Sequence, residues 1–175
     1  ELNRALRISA ETRLAFVGAG GKTTAMFRVA RQVRGRLMVA CTAHLAVEEA
    51  RLADRHFVIQ NLGDLERAGG RLVDGINLFT SGVGTTNRLF GLSDELILGV
   101  KLIADRQQAP LLIEADGSRR RPVKAPAAHE PPIPAWVNAV VVVAGLSALG
   151  KPLNESSVFR SEIFSQLSGR PLERE

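Results

Sequence analysis

Short apolar runs without polar alternation recur along the chain, separated by amphipathic stretches. Leu14-Ala15-Phe16-Val17, Leu37-Met38-Val39-Ala40-Cys41, His56-Phe57-Val58-Ile59, Ile76-Asn77-Leu78-Phe79-Thr80, Leu111-Leu112-Ile113 and Val140 to Val143 are such runs. Uninterrupted hydrophobicity of this kind predicts strands covered on both faces. Helical patterns lie between them. From Lys22 to Val33, Met26, Val29, Ala30 and Val33 repeat at the i, i+3, i+4, i+7 spacing of one helix face, and Gly35 stops the pattern. Ala46 to Asp54 predicts another helix. Ser93 is a good N-cap, Asp94 and Glu95 suit the first turn, and Leu96, Val100 and Ile103 continue one face. Strands alternating with helices predict a three-layer α/β/α domain, P-loop NTPase-like, built on a mostly parallel sheet. The proline-rich stretch 122–134 interrupts the pattern as a long irregular connection, a kind of segment that is usually functional or disordered.

Composition narrows the class. A chain of 175 residues fits a single domain, and 45% hydrophobic with 23% charged residues is globular usage. The longest apolar run, Ala139 to Ala144, falls far short of the roughly 20 residues a membrane helix needs. Glu1-Leu2-Asn3-Arg4 carries no secretory pattern, and the lone Cys41 suits a reducing cytoplasm. The start on Glu1 and the break after Glu175 suggest a trimmed chain. The net charge of +5 raises the question of nucleic acid. Most arginines are scattered singly, and only Arg119-Arg120-Arg121 with Lys124 forms a cluster. With no Tyr and one Trp there is no aromatic platform for bases, which argues against that partner.

The first run leads directly into Gly18-Ala19-Gly20-Gly21-Lys22-Thr23-Thr24, and a helix follows at once. Strand, glycine loop and helix are the context of a phosphate-binding P-loop. The glycines let backbone N–H groups wrap an anion, and the helix N-terminus adds its positive dipole. Lys22 would reach the β- and γ-phosphates and Thr23 would place its hydroxyl on Mg²⁺. The loop is the short form G-x-x-G-K-T-T, because Phe16 stands where the usual first glycine belongs. Only four of the 23 basic residues are lysines, so an ammonium at position 22 reads as a chemical choice.

A P-loop site also needs a carboxylate for the metal, commonly at the end of a neighbouring strand. Leu111-Leu112-Ile113-Glu114-Ala115-Asp116-Gly117 offers two, and alternation puts Glu114 and Asp116 on one side. Either could hold the metal while the other orients water or substrate. Arg119 and Arg120 follow directly and could neutralise phosphate charge or hold an anionic substrate. Thr42 and His44 sit at the end of another strand, where Thr42 could approach the γ-phosphate and His44 could act as base or hydrogen-bond donor. His56 and Cys41 read as structural. His129, beside Glu130, could belong to a lid. No Cys/His spacing suggests zinc.

Taken together, several segments resemble the YqeC family. They are Val17 to Thr24, Glu114-Ala115-Asp116-Gly117-Ser118-Arg119-Arg120, Lys124-Ala125-Pro126, His129-Glu130-Pro131 and Gly145-Leu146-Ser147-Ala148-Leu149-Gly150-Lys151-Pro152-Leu153-Asn154-Glu155. The resemblance runs from about Val17 to Arg160. Ala40 to His44 departs from the threonine-rich segment expected there, although His44 fits. The resemblance implies a cytoplasmic accessory protein that helps supply or insert a selenium cofactor into selenium-dependent molybdenum hydroxylases. The loop and its carboxylates point to Mg²⁺ with ATP or GTP as cofactors, and the resemblance implies a molybdenum-cofactor or selenium species and a molybdenum hydroxylase as partners. Lys22, Thr23, Glu114 and Asp116 would carry phosphate and metal, and Arg119 and Arg120 would face the acceptor or the cofactor's phosphates. Two alternatives remain: an ATP-dependent ligase, since the short loop also resembles that of the Mur ligases, and a non-catalytic nucleotide-gated module that delivers cofactor.

Overall fold

The computed structural model describes residues 1–84 and 87–173. Along the chain the strands are β1 (Arg13–Gly18), β2 (Arg36–Cys41), β3 (Leu45–Ala46), β4 (Arg55–Val58), β5 (Gly75–Thr80), β6 (Gly82–Val83), β7 (Arg88–Phe90), β8 (Leu111–Glu114), β9 (Val123–Lys124), β10 (Ala139–Val143) and β11 (Val158–Phe159). The helices are α1 (Leu2–Ala5), α2 (Lys22–Ala30), α3 (Leu62–Gly69), α4 (Asp94–Arg106) and α5 (Ser161–Ser168), with 3₁₀ turns at Val47–Leu52 and Leu146–Ala148. Six strands form the central sheet in the order β10-β1-β8-β2-β5-β4, and every pairing in it is parallel. The six apolar runs of the sequence are these six strands.

Alternation along each strand divides the core between the two faces of the sheet. Ala15, Val17, Met38, Ala40, Phe79, Leu111 and Ile113 pack with Leu65 and Ala68 of α3 and with Leu96, Val100 and Ile103 of α4. Leu14, Phe16, Leu37, Val39, Cys41, Leu78 and Leu112 pack with Met26, Phe27, Val29 and Ala30 of α2. The result is the expected three-layer α/β/α arrangement. Ser93 caps α4 as its sequence suggests, accepting a hydrogen bond from the Leu96 amide at 3.4 Å.

Three segments differ from the sequence reading. Ala46 to Asp54 is not an α-helix. Leu45 and Ala46 pair with Leu89 and Arg88, leaving a 3₁₀ helix over Val47–Leu52, and the Glu49 carboxylate accepts from the Ala46 amide at 2.8 Å. Asp54, at the far end, is tied to Ile76 by hydrogen bonds of 2.9 and 2.7 Å, so strand partners hold both ends of the segment. Helix α2 stops at Ala30 rather than Val33, its end tightening through i→i−3 bonds from Gln32 and Val33. The proline-rich connection contains β9, which pairs with β11 in a small two-stranded sheet. A further small sheet, β3-β7-β6, lies beyond the end of β2.

Candidate functional site

In the sheet order, β1 and β8 are immediate neighbours, with Phe16 opposite Glu114 in register. The glycine loop therefore leaves β1 beside the point where the acidic segment leaves β8. This is the C-terminal edge at which open parallel sheets place ligands.

The loop's shape requires its glycines. A side chain at Gly18, φ +95°, would put its Cβ 2.2 Å from the Val143 carbonyl oxygen. One at Gly20, φ +72°, would lie 2.5 Å from the Pro122 carbonyl oxygen and 2.6 Å from Gly145 Cα. Two of the loop amides are committed within the chain: Gly18 donates to Asp116 Oδ2 at 3.0 Å and Ala19 to the Val143 carbonyl at 2.8 Å. Ala19, expected among the phosphate-binding residues, is thus buried and bonded to the end of β10. The amides of Gly20, Gly21, Lys22, Thr23 and Thr24 donate to no acceptor among the described residues, as the first turn of a helix requires. These five residues line an open cleft of about 230 Å³.

Lys22 is buried, and its ammonium donates to the Gly18 carbonyl at 2.9 Å. It also lies 3.3 Å from Asp116 Oδ1 and 3.9 Å from Glu114 Oε1. Thr23 donates its hydroxyl proton to Glu114 Oε2 at 2.7 Å. The alternation expected for Glu114 and Asp116 is present, since both reach the same lysine. Burial pushes the Glu114 carboxyl up to about 7, against the opposing pull of the Thr23 hydroxyl and Lys22. Asp116 Oδ1 is buried without a hydrogen bond.

Behind Asp116 stands an ion-pair chain. Lys124, its ammonium buried, lies 2.9 Å from Asp116 Oδ2 and 2.7 Å from Glu130 Oε2, and donates to the Gly117 carbonyl at 3.0 Å. Glu130 in turn receives both forks of Arg160, at 2.6 and 2.9 Å. The Arg160 bonds, with help from Lys124, hold the Glu130 carboxyl down to about 2. Residues of the proline-rich connection therefore brace the carboxylate beside the P-loop.

Among the other expected residues, His44 is exposed in the wall of the same cleft, its ring edge-on to Phe90 at 5.3 Å. Arg119 and Arg120 line the cleft too. Thr42 does not reach it, because its hydroxyl donates to the Ala115 carbonyl at 3.1 Å. His56 bonds Thr80 across the sheet and is driven toward its neutral form by burial. Cys41 is buried in the sheet, where burial pushes its thiol up, away from nucleophilic use. Arg88 of β7 and Glu49 also line the cleft, although the sequence reading assigned them no role. Arg88 lies in a three-residue strand without periodic signal, and Glu49 in the segment read as a helix.

The donor set suits a hard cation. A hydroxyl, a dehydrated carboxylate and an unbonded buried carboxylate oxygen meet beside free loop amides, whereas three or more His, Cys, Asp or Glu side chains nowhere cluster as a self-sufficient metal cage among the described residues. Mg²⁺ typically takes few protein ligands and completes its shell with phosphate and water, so the residues present fit it.

The fold is that of an α/β protein with a six-stranded parallel sheet flanked by helices, consistent with a P-loop NTPase-like three-layer type. Comparison with known proteins gives the particular family. The chain belongs to the YqeC family, whose model, described as YqeC protein, matches residues 14–162. It is 31% identical over 165 residues to the YqeC protein of Escherichia coli (strain K12), an alignment covering 90% of this chain. The chain spans 61% of that relative's length. No solved structure matches it. Among the described residues, no helix is long and apolar enough to cross a membrane.

Proposed function

We propose that this protein binds ATP or GTP with Mg²⁺ at the Gly18–Thr24 loop and hydrolyses it in the service of selenium cofactor maturation or insertion into molybdenum hydroxylases. The observation that carries the nucleotide reading is the convergence of a buried Lys22 with Thr23, Glu114 and Asp116 at the ends of two adjacent parallel strands. The amides of Gly20 to Thr24 and the dipole of α2 receive the phosphates. Lys22 exchanges its carboxylate partners for phosphate oxygens, and Thr23 with Glu114 or Asp116 holds the metal. Bound Mg²⁺ supplies charge neutralisation of the phosphate oxygens. His44, which lines the same cleft, would accept the proton of the attacking water. The selenium role rests on the family resemblance of the E-A-D-G-S-R-R and G-K-P-L-N-E strings.

The test is phosphate release from ATP and from GTP, with wild type and Lys22→Ala, each with and without candidate acceptors. Turnover that depends on Lys22 and needs no acceptor supports the proposal. Acceptor-dependent product would make the protein a ligase, tight binding without turnover would make it a gated module, and absence of nucleotide binding would remove the P-loop reading.

A further inference from the structure

We propose that the cleft contains a second anion site, formed by Arg88, Arg119 and Arg120, for a phosphate or pyrophosphate group carried by a second ligand. The inference extends the nucleotide reading, on which it rests for what occupies the glycine loop.

The cations of the cleft fall into two groups. Lys22 is engaged within the chain, by the Gly18 carbonyl and two carboxylates. Arg88, Arg119 and Arg120 are not, whereas Arg121, which also lines the cleft, is held by the Glu155 carbonyl. Among the described residues, the Arg120 side chain makes no hydrogen bond or ion pair, and that of Arg88 makes a single long contact of 3.4 Å to the His44 carbonyl. Arg119 has no carboxylate partner among the described residues either, but its guanidinium lies over the Phe159 ring, 5.2 Å from its centre, a cation–π contact. Acids are at hand in the same cleft, yet Glu49 is used by the Ala46 amide and Glu114 by Thr23. Elsewhere, arginines pair even with acids that have another partner, as Arg31 does with Asp54, which also takes the Ile76 amide, and Arg13 with Asp105, which also pairs with Lys101.

Backbone conformation supplies a second, independent observation. Arg119 and Arg120 both have left-handed backbone, φ 48° and 62°. Two consecutive non-glycine residues in this region cost about 1–2 kcal/mol each, a strain characteristic of ligand-binding segments. The turn sets both side chains in the cleft wall; the next residue, Arg121, lines the cleft too but donates to the Glu155 carbonyl.

The chemistry of the ligand follows from the donors. A guanidinium presents a planar fork that matches phosphate oxygens, and one fork suffices for a carboxylate. Three forks from two separate elements, β7 and the loop after β8, suit a group with more oxygens and more charge.

The probe is inorganic pyrophosphate, titrated calorimetrically into the chain already saturated with Mg·ADP. The proposal predicts binding under these conditions, weakened about tenfold or more in Arg88→Ala and in Arg119→Ala. Arg119→Lys, which keeps the charge but loses the fork, should also weaken it. Arg55→Ala, on β4, is the control and should bind as wild type does. ADP affinity should fall much less than pyrophosphate affinity in the arginine variants. Strict competition between pyrophosphate and ADP, pyrophosphate binding indifferent to all three arginine changes, or equal binding of acetate would each overturn the proposal. The two readings separate in Lys22→Ala. If that variant or the wild type fails to bind nucleotide yet binds pyrophosphate through Arg88 and Arg119, the second site stands without the first.

Discussion

Asp116 is the hinge of the site at residue scale, because it receives the Gly18 amide, Lys22 and Lys124 at once. Its second brace, Glu130, carries a pH signature. The folded carboxyl sits near 2 against an ordinary 4.5, so its stabilising contribution is present above about 4.5 and is lost as pH falls toward 2. Glu130→Gln should cost about 1–3 kcal/mol near neutral pH, and its urea midpoint should fall less steeply over that acid range than that of wild type. The loop glycines make a graded set. Gly20→Ala meets backbone on two sides and should cost at least about 2 kcal/mol along with phosphate binding. Gly21→Ala, at φ +122° with open space around it, should cost only the backbone strain of about 1–2 kcal/mol. Thermal unfolding of the two variants checks the order. At this scale Lys22, Thr23, Glu114 and Asp116 were legible because strand ends and alternation dictate where they go. Arg88 and the Lys124–Glu130–Arg160 chain were not, since their partners are distant in sequence and meet only through the small sheets.

At the scale of elements, consecutive apolar positions in six runs were enough to predict a parallel sheet, because each strand is covered on both faces. The small strands were invisible. Segments of two or three residues such as β3, β9 and β11 have no period to read, and tertiary pairing decides them. The same pairing displaced the helix expected over Ala46 to Asp54. Asn77 marks where the sheet tolerates a polar group. Fully buried in β5, it accepts from the Val73 amide at 3.0 Å and donates to the carbonyls of Val73, Gly75 and Leu37 at 2.8–3.3 Å. Asn77→Leu removes these bonds and leaves the Val73 amide and carbonyl without their side-chain partner, and denaturant unfolding should show a loss of about 2–4 kcal/mol. At the rim, Val142 of β10 is 76% exposed, and Val142→Glu should change stability by less than about 0.5 kcal/mol.

At the scale of the whole molecule, the sheet brings two carboxylates to a glycine loop, and the proline-rich connection and β11 lock them there. The arrangement predicts a protein poised to exchange internal partners of Lys22 and Thr23 for phosphate and metal. Ligand that binds only the folded state stabilises it, by about 2.7 kcal/mol at a hundredfold excess over Kd, and each kcal/mol moves Tm by about 2–4 °C at this chain length. Thermal unfolding with Mg·ATP and Mg·GTP, in wild type and Lys22→Ala, therefore tests the central claim most directly. The account predicts a rise in Tm for wild type with at least one nucleotide, absent in Lys22→Ala. An unchanged Tm in wild type with both nucleotides, or an equal rise in the variant, would contradict it.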